Sequence, residues 1–111
     1  MRKIQHYSIS IPQDTPKTLQ GVRVLIESHS HIFEDAVMAE YRGDQRYTYV
    51  SDNFEVTEIE EGAFTFEVDV SYFEGCKDRD GVDRQEMNVE FEIRNGCIEF
   101  DLDETVWNTD N

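Results

Sequence analysis

Basic side chains are scarce in the second half of this 111-residue chain. Residues 51–111 hold Lys77, Arg79, Arg84 and Arg94 against 19 of the 25 Asp and Glu residues. The first 50 residues balance six acids with six bases, so the net charge of −15 arises entirely in the second half. A salt-adapted composition would spread its acids over the whole length. A face this acidic repels nucleic acid and anionic lipid, and it attracts basic proteins.

Long apolar runs are missing too. No stretch approaches the roughly 18 residues of a membrane span, and "MRKIQHYSIS" lacks the apolar segment of a secretory leader. A soluble, cytoplasmic protein without a membrane partner is the expectation. Cysteine is limited to Cys76 and Cys97. The strand layout read below sets them about 25 Å apart along one strand, beyond the reach of a disulfide. Two free thiols fit a reducing compartment.

Signatures of catalysis are absent. There is no Gly-rich phosphate loop, no G-x-S-x-G elbow and no locally supported Cys–His pair. Carboxylates abound, but general acid catalysis needs a desolvated one in a cleft, and these are expected on an open face. No enzyme and no cofactor are predicted.

Metal motifs fail on spacing. "CKDRDGVDRQEM" places Asp78, Asp80, Asp83 and Glu86 around Gly81. An EF-hand aligned on that glycine needs an acid at residue 76 and Glu at 87, where this chain has Cys and Met. Asp80-Gly81 reads as an ordinary turn. "SHSHIFED" offers His29, His31, Glu34 and Asp35. On a helix the two histidines diverge by about 200°, and two ligands from His31 and Asp35 do not make a zinc site.

What is present reads as a single domain over residues 1–111. "KIQHYSISI" alternates as a first strand, with Tyr7, Ile9 and Ile11 on one side. "PQDTPKT" holds both prolines and opens a helix, with Asp14 or Thr15 as its cap and Pro16 in its first turn. From Leu19 to Tyr41 apolar residues recur at helical spacing. Helix is predicted for 31–42 and either helix or strand for 17–28, with a break near Ser28–Ser30. Strands and turns make up the rest. The predicted fold class is α+β: a four- to five-stranded antiparallel meander covered on one face by a helical segment, in the order β-α-β-β-β-β.

"NVEFEIRNGCIEFDLDE", residues 88–104, is the clearest element. Asn95-Gly96 fits a two-residue type I′ turn. Its register sets Arg94 against Cys97, Ile93 against Ile98, Phe91 against Phe100 and Val89 against Leu102. The other face then opposes Glu92 to Glu99, Glu90 to Asp101 and Asn88 to Asp103. Like charges directly opposite each other cost a few tenths to about 1 kcal/mol per pair.

Matching apolar faces extends this sheet. Pairing Val70 with Val89, Val68 with Phe91 and Phe66 with Ile93 puts Glu67 beside Glu92 and Asp69 beside Glu90. Pairing Phe54 with Val68 and Val56 with Phe66 adds Glu55 beside Glu67. Two acidic rows result, interrupted only by Arg94, with "CKDRDGVDRQ" as a loop. Spacings of about 4.8 Å across strands and 6.8 Å along them compare with one phosphate charge per roughly 3.4 Å of nucleic-acid strand.

The expected activity is therefore that of an acidic, non-enzymatic inhibitor or decoy. It would occupy the nucleic-acid-binding surface of a basic protein, in the manner of DNA mimics such as anti-CRISPR, anti-restriction or nuclease-immunity proteins. Glu55, Glu67, Asp69, Glu90, Glu92, Glu99, Asp101 and Asp103 are its candidate contact residues. A second reading is a small-ligand or peptide module with Tyr41, Tyr47, Tyr49, Phe66 and Tyr72 lining a pocket between helix and sheet. A third is a homodimeric interaction subunit, which outward apolar residues on the sheet would favour. Trp107 is expected to cap the sheet edge.

Overall fold

A computed structural model describes residues 3–16, 18–41, 46–74 and 79–105. Trp107 and Cys76 lie outside them. Strand β1 (Ile4–Ser10) leads into helix α1 (Leu19–Glu27) and short helix α2 (Glu34–Val37), which is flanked by 3-10 turns at Ser30–Phe33 and Met38–Tyr41. Strands β2 (Tyr47–Glu60), β3 (Ala63–Glu74), β4 (Arg79–Arg94) and β5 (Cys97–Asp103) complete one antiparallel sheet in the order β1-β5-β4-β3-β2. The fold is α+β, with the helical segment packed on the sheet. Among the described residues no helix is long and apolar enough to cross a membrane.

Residue 17 lies outside the described residues; of the segment read as either helix or strand, residues 19–27 are helix α1. Its cap is neither Asp14 nor Thr15: the Thr18 hydroxyl accepts from Gly21 N–H at 3.1 Å. The helix stops at Ser28, where the sequence shows its break. Residues 30–41 form three short turns instead of one helix. They still bury Phe33, Ala36, Val37, Met38 and Ala39, because apolar contact rather than helix propensity holds them. Phe33 sits at the centre of the core. Its ring lies 5.0–5.9 Å from those of Phe54, Phe64, Phe66 and Phe100.

Two hairpin turns among the described residues rest on left-handed backbone. Asn95 (φ 55°) and Gly96 (φ 74°) make the predicted turn, and Gly62 (φ 95°) closes β2 to β3. The β4–β5 register holds from Phe91↔Phe100 to Arg94↔Cys97. Val56↔Phe66 and Glu55↔Glu67 also pair as predicted, between irregularities in β2 at Val50/Glu55 and Val56/Glu58.

The β3–β4 register does not. Phe66 pairs with Met87, Phe64 with Val89 and Val70 with Asp83, six residues away from the predicted alignment. A shift by an even number keeps every side chain on its predicted face, so apolar matching could not detect it. The segment read as a loop is mostly strand, since β4 begins at Arg79 and pairs with Glu74. Ile93 consequently runs past the core and is exposed, although its partner Ile98 is fully buried.

Glu104, just after β5, is the buried charged residue of the core. It accepts a hydrogen bond from Tyr7 OH, its N–H donates to Lys3 C=O at 2.7 Å, and Lys3 Nζ lies 3.9 Å away. Burial, reinforced by Glu104, pushes the Tyr7 phenol up from 10.0 to about 12. Burial and the neighbouring Asp83 do the same for Tyr41, also to about 12.

Two outcomes follow from these contacts. A Cβ on Gly21 would stand 2.1 Å from the Pro16 carbonyl oxygen. Gly21→Ala should therefore lower stability by about 1–3 kcal/mol in urea titrations, although alanine is the better helix former by about 1 kcal/mol. Tyrosines of the unfolded chain lose their protons near pH 10 while Tyr7 and Tyr41 keep theirs to about 12. The unfolded state then binds fewer protons, so stability should fall as pH rises from 10 to 12. Tyr7→Phe should flatten that fall, as read by denaturation midpoints at stepped pH.

Candidate functional site

The outward face of the sheet carries the predicted acids in two separate groups. Glu55, Glu67 and Asp69 stand on β2 and β3. The register places Arg84 opposite Asp69 and Glu86 opposite Glu67, where Glu90 and Glu92 were expected. Arg84 Nε donates to Glu67 at 3.0 Å, Nη1 donates to Asp69 at 3.0 Å, and Nη2 lies 3.4 Å from Glu55. Asn53 adds a hydrogen bond from its side chain to Asp69 and accepts one from Asp69 N–H at 3.0 Å. Hydrogen bonds from Arg84 to Asp69 and Glu67 raise its pKa further above its ordinary value. These three acids are thus engaged by one guanidinium, and the rows expected from sequence, with Arg94 as their sole interruption, do not form.

The second group surrounds the hairpin. Glu92 faces Glu99 across β4 and β5 as predicted. Glu90 and Asp101, and likewise Asn88 and Asp103, do not pair, because the ladder between these strands ends at Phe91↔Phe100. The strands diverge there around a cleft of about 750 Å³ that Glu90, Glu92, Glu99, Asp101 and Asp103 all line. Arg94 holds Glu92 at 2.6 Å. His6, opposite Asp101 on β1, lies 2.7 Å from Asp101 and 3.9 Å from Glu99. The exposed side chain of Glu90 makes no hydrogen bond or ion pair among the described residues.

The tyrosines of the ligand reading sit elsewhere. Tyr41, Tyr47 and Tyr72 form a row with ring centroids 4.5 and 5.0 Å apart. Tyr49 OH donates to Ser30 C=O at 2.7 Å, and Phe66 is fully buried. None of the five lines the hairpin cleft. A different hollow, of about 850 Å³, lies between the start of α1 and the hairpin tip; Ile11, Leu19, Val22 and Ile93 line it. The outward face is not wholly polar either. Phe73 and Val82 are exposed near the far end of β3 and β4, where residue 82 was expected in a loop.

His29 and His31 have ring centroids 6.2 Å apart, and His29 Nδ1 lies 2.9 Å from the Leu25 carbonyl oxygen. Among the described residues no three His, Cys, Asp or Glu side chains are grouped so as to hold a metal ion.

The Arg84 cluster was missed because "DRDGVDRQ" alternates no apolar residues. Its inward positions, Asp83 and Gln85, are polar and meet the Tyr41 hydroxyl at 3.5 and 2.7 Å. Alternation of Val82, Arg84 and Glu86 on the outward side was the available signal. Arg84→Gln should destabilise the fold by about 1 kcal/mol or less, because the guanidinium is 37% exposed and solvent screens it. The difference from wild type should shrink as salt is added, in parallel urea titrations at low and high ionic strength. Comparison of the chain with protein-family models, with curated proteins and with solved structures finds no match.

Proposed function

We propose that the protein is an acidic, non-enzymatic decoy that occupies the basic nucleic-acid-binding surface of a partner protein. The observation that carries this reading is the hairpin group: Glu90, Glu92, Glu99, Asp101 and Asp103 around one cleft, two of them directly opposite each other. A like-charged cross-strand pair costs the free protein a few tenths of a kcal/mol or more. A row of lysines and arginines relieves that repulsion on binding and replaces the phosphates those residues otherwise contact. The same field speeds encounter and makes the affinity fall with salt. Glu55, Glu67 and Asp69 contribute less, since Arg84 already offsets them.

A second reading has its own observation, the hollow beside Leu19 and Ile93, both exposed apolar side chains on its wall. A small apolar ligand held there would ignore salt and be lost on Ile93→Lys.

The test is affinity capture from the native host's lysate at low and high salt. Wild type is compared with a variant carrying Glu90→Gln, Glu92→Gln, Glu99→Gln and Asp101→Asn. The decoy reading expects a nucleic-acid-binding protein that wild type retains, that added duplex DNA or salt releases, and that the variant retains at least tenfold less. Equal retention by both proteins, or retention that DNA does not compete, overturns it.

A further inference from the structure

Strand β4 is shared unequally by its neighbours. Residues 79–90 pair with β3, and only Phe91–Arg94 pair with β5. Beyond Phe100, β5 stays paired with β1 as far as Asp103. The cleft between the diverging strands therefore has a strand edge for each wall.

Backbone direction in an antiparallel sheet alternates residue by residue. Phe91 N–H donates to Gly62 C=O at 2.9 Å on the β3 side, and the β3–β4 register runs without a shift from 79 to 90. Odd-numbered residues of β4 thus turn their N–H and C=O groups toward β3. Asn88 turns both groups toward the cleft without a ladder pair on β5, and Glu90 turns its N–H there, its C=O being the acceptor for Asp101 N–H that the Phe91↔Phe100 pair implies. An edge that no described residue covers is a template for another strand. Side chains around it are sorted by face. Glu90, Glu92, Glu99 and Asp101 lie on the outward rim, and Val89, Phe91, Phe100 and Leu102 form a buried apolar floor.

We infer that the cleft binds an extended peptide segment as an added strand along β4 at Asn88 and Glu90. Every second side chain of that segment is Lys or Arg, and the ones between are small and apolar. Backbone hydrogen bonds to the edge hold it. Alternation sends its basic side chains to the acidic rim and its apolar ones toward the floor. This inference rests on the reading of the hairpin acids as a contact surface for a basic protein, and adds to it a strand-forming segment of that partner.

Blocked hexapeptides of alternating arginine and valine provide the probe. One is unmodified; two others of equal charge are N-methylated at every arginine or at every valine, so that one of them cannot donate to β4. In the free protein the Asn88 and Glu90 amides should exchange with solvent faster than those of Met87 and Val89. The unmodified peptide should slow exchange at Asn88 and Glu90 at least tenfold, and one methylated form should bind at least tenfold more weakly than the other. Glu90→Gln with Asp101→Asn should weaken the unmodified peptide without changing which methylated form fails. If both methylated forms bind as well as the parent and leave those two amides unprotected, the added strand is wrong while a charge-only decoy stands. If no peptide binds, the inference also falls, and DNA-competed capture still decides the decoy reading separately.

Discussion

The switch of partner at Phe91 governs where the outward charges of this protein lie. A 16-residue strand is longer than the overlap either neighbour offers, so β4 serves β3 with its first part and β5 with its last. Had β3 and β4 met in the register that face-matching suggests, six residues away, Glu67 would have stood beside Glu92 and Asp69 beside Glu90. Instead the stagger carries Arg84 in among Glu55, Glu67 and Asp69, and carries Glu90 to the mouth of an open cleft.

The two acidic groups differ in energetics for that reason. Around Arg84, three carboxylates share one guanidinium and an asparagine, an arrangement in which attraction offsets the repulsion between neighbours. Around the hairpin the partners sit at the ends: Arg94 beside the turn, paired with Glu92, and His6 across on β1, beside Asp101. Exposed pairs are worth little individually in salt, so the hairpin group does not threaten folding. It does gather five carboxylates around one cleft where backbone groups of β4 are also open, so charge and strand edge coincide there.

Beneath both groups the same core holds the sheet. Phe33, supplied by an irregular segment of short turns, contacts rings from β2, β3 and β5. Tyr7 and Glu104 secure the β1–β5 side with a buried hydrogen bond, and the Tyr41–Tyr47–Tyr72 row secures the opposite end.

The sequence by itself determined what local chemistry and period-two alternation can encode. The Asn95-Gly96 turn, the pairing of Glu92 with Glu99, the inward faces of β3 and β5, the break after α1 and the α+β class were all legible. Five of the eight candidate acids share the Asn95-Gly96 hairpin, and the structure sets them around one cleft. Tertiary structure alone decided the alignment of β3 with β4, because registers that differ by an even number of residues bury the same side chains. It also decided that "RDGVDRQ", residues 79–85, is strand, since its pairing rests on backbone hydrogen bonds that polar side chains do not announce. The cleft lay beyond the sequence for the same reason: a strand's apolar pattern says which face is buried, and nothing in it says how far each neighbour extends along its edge.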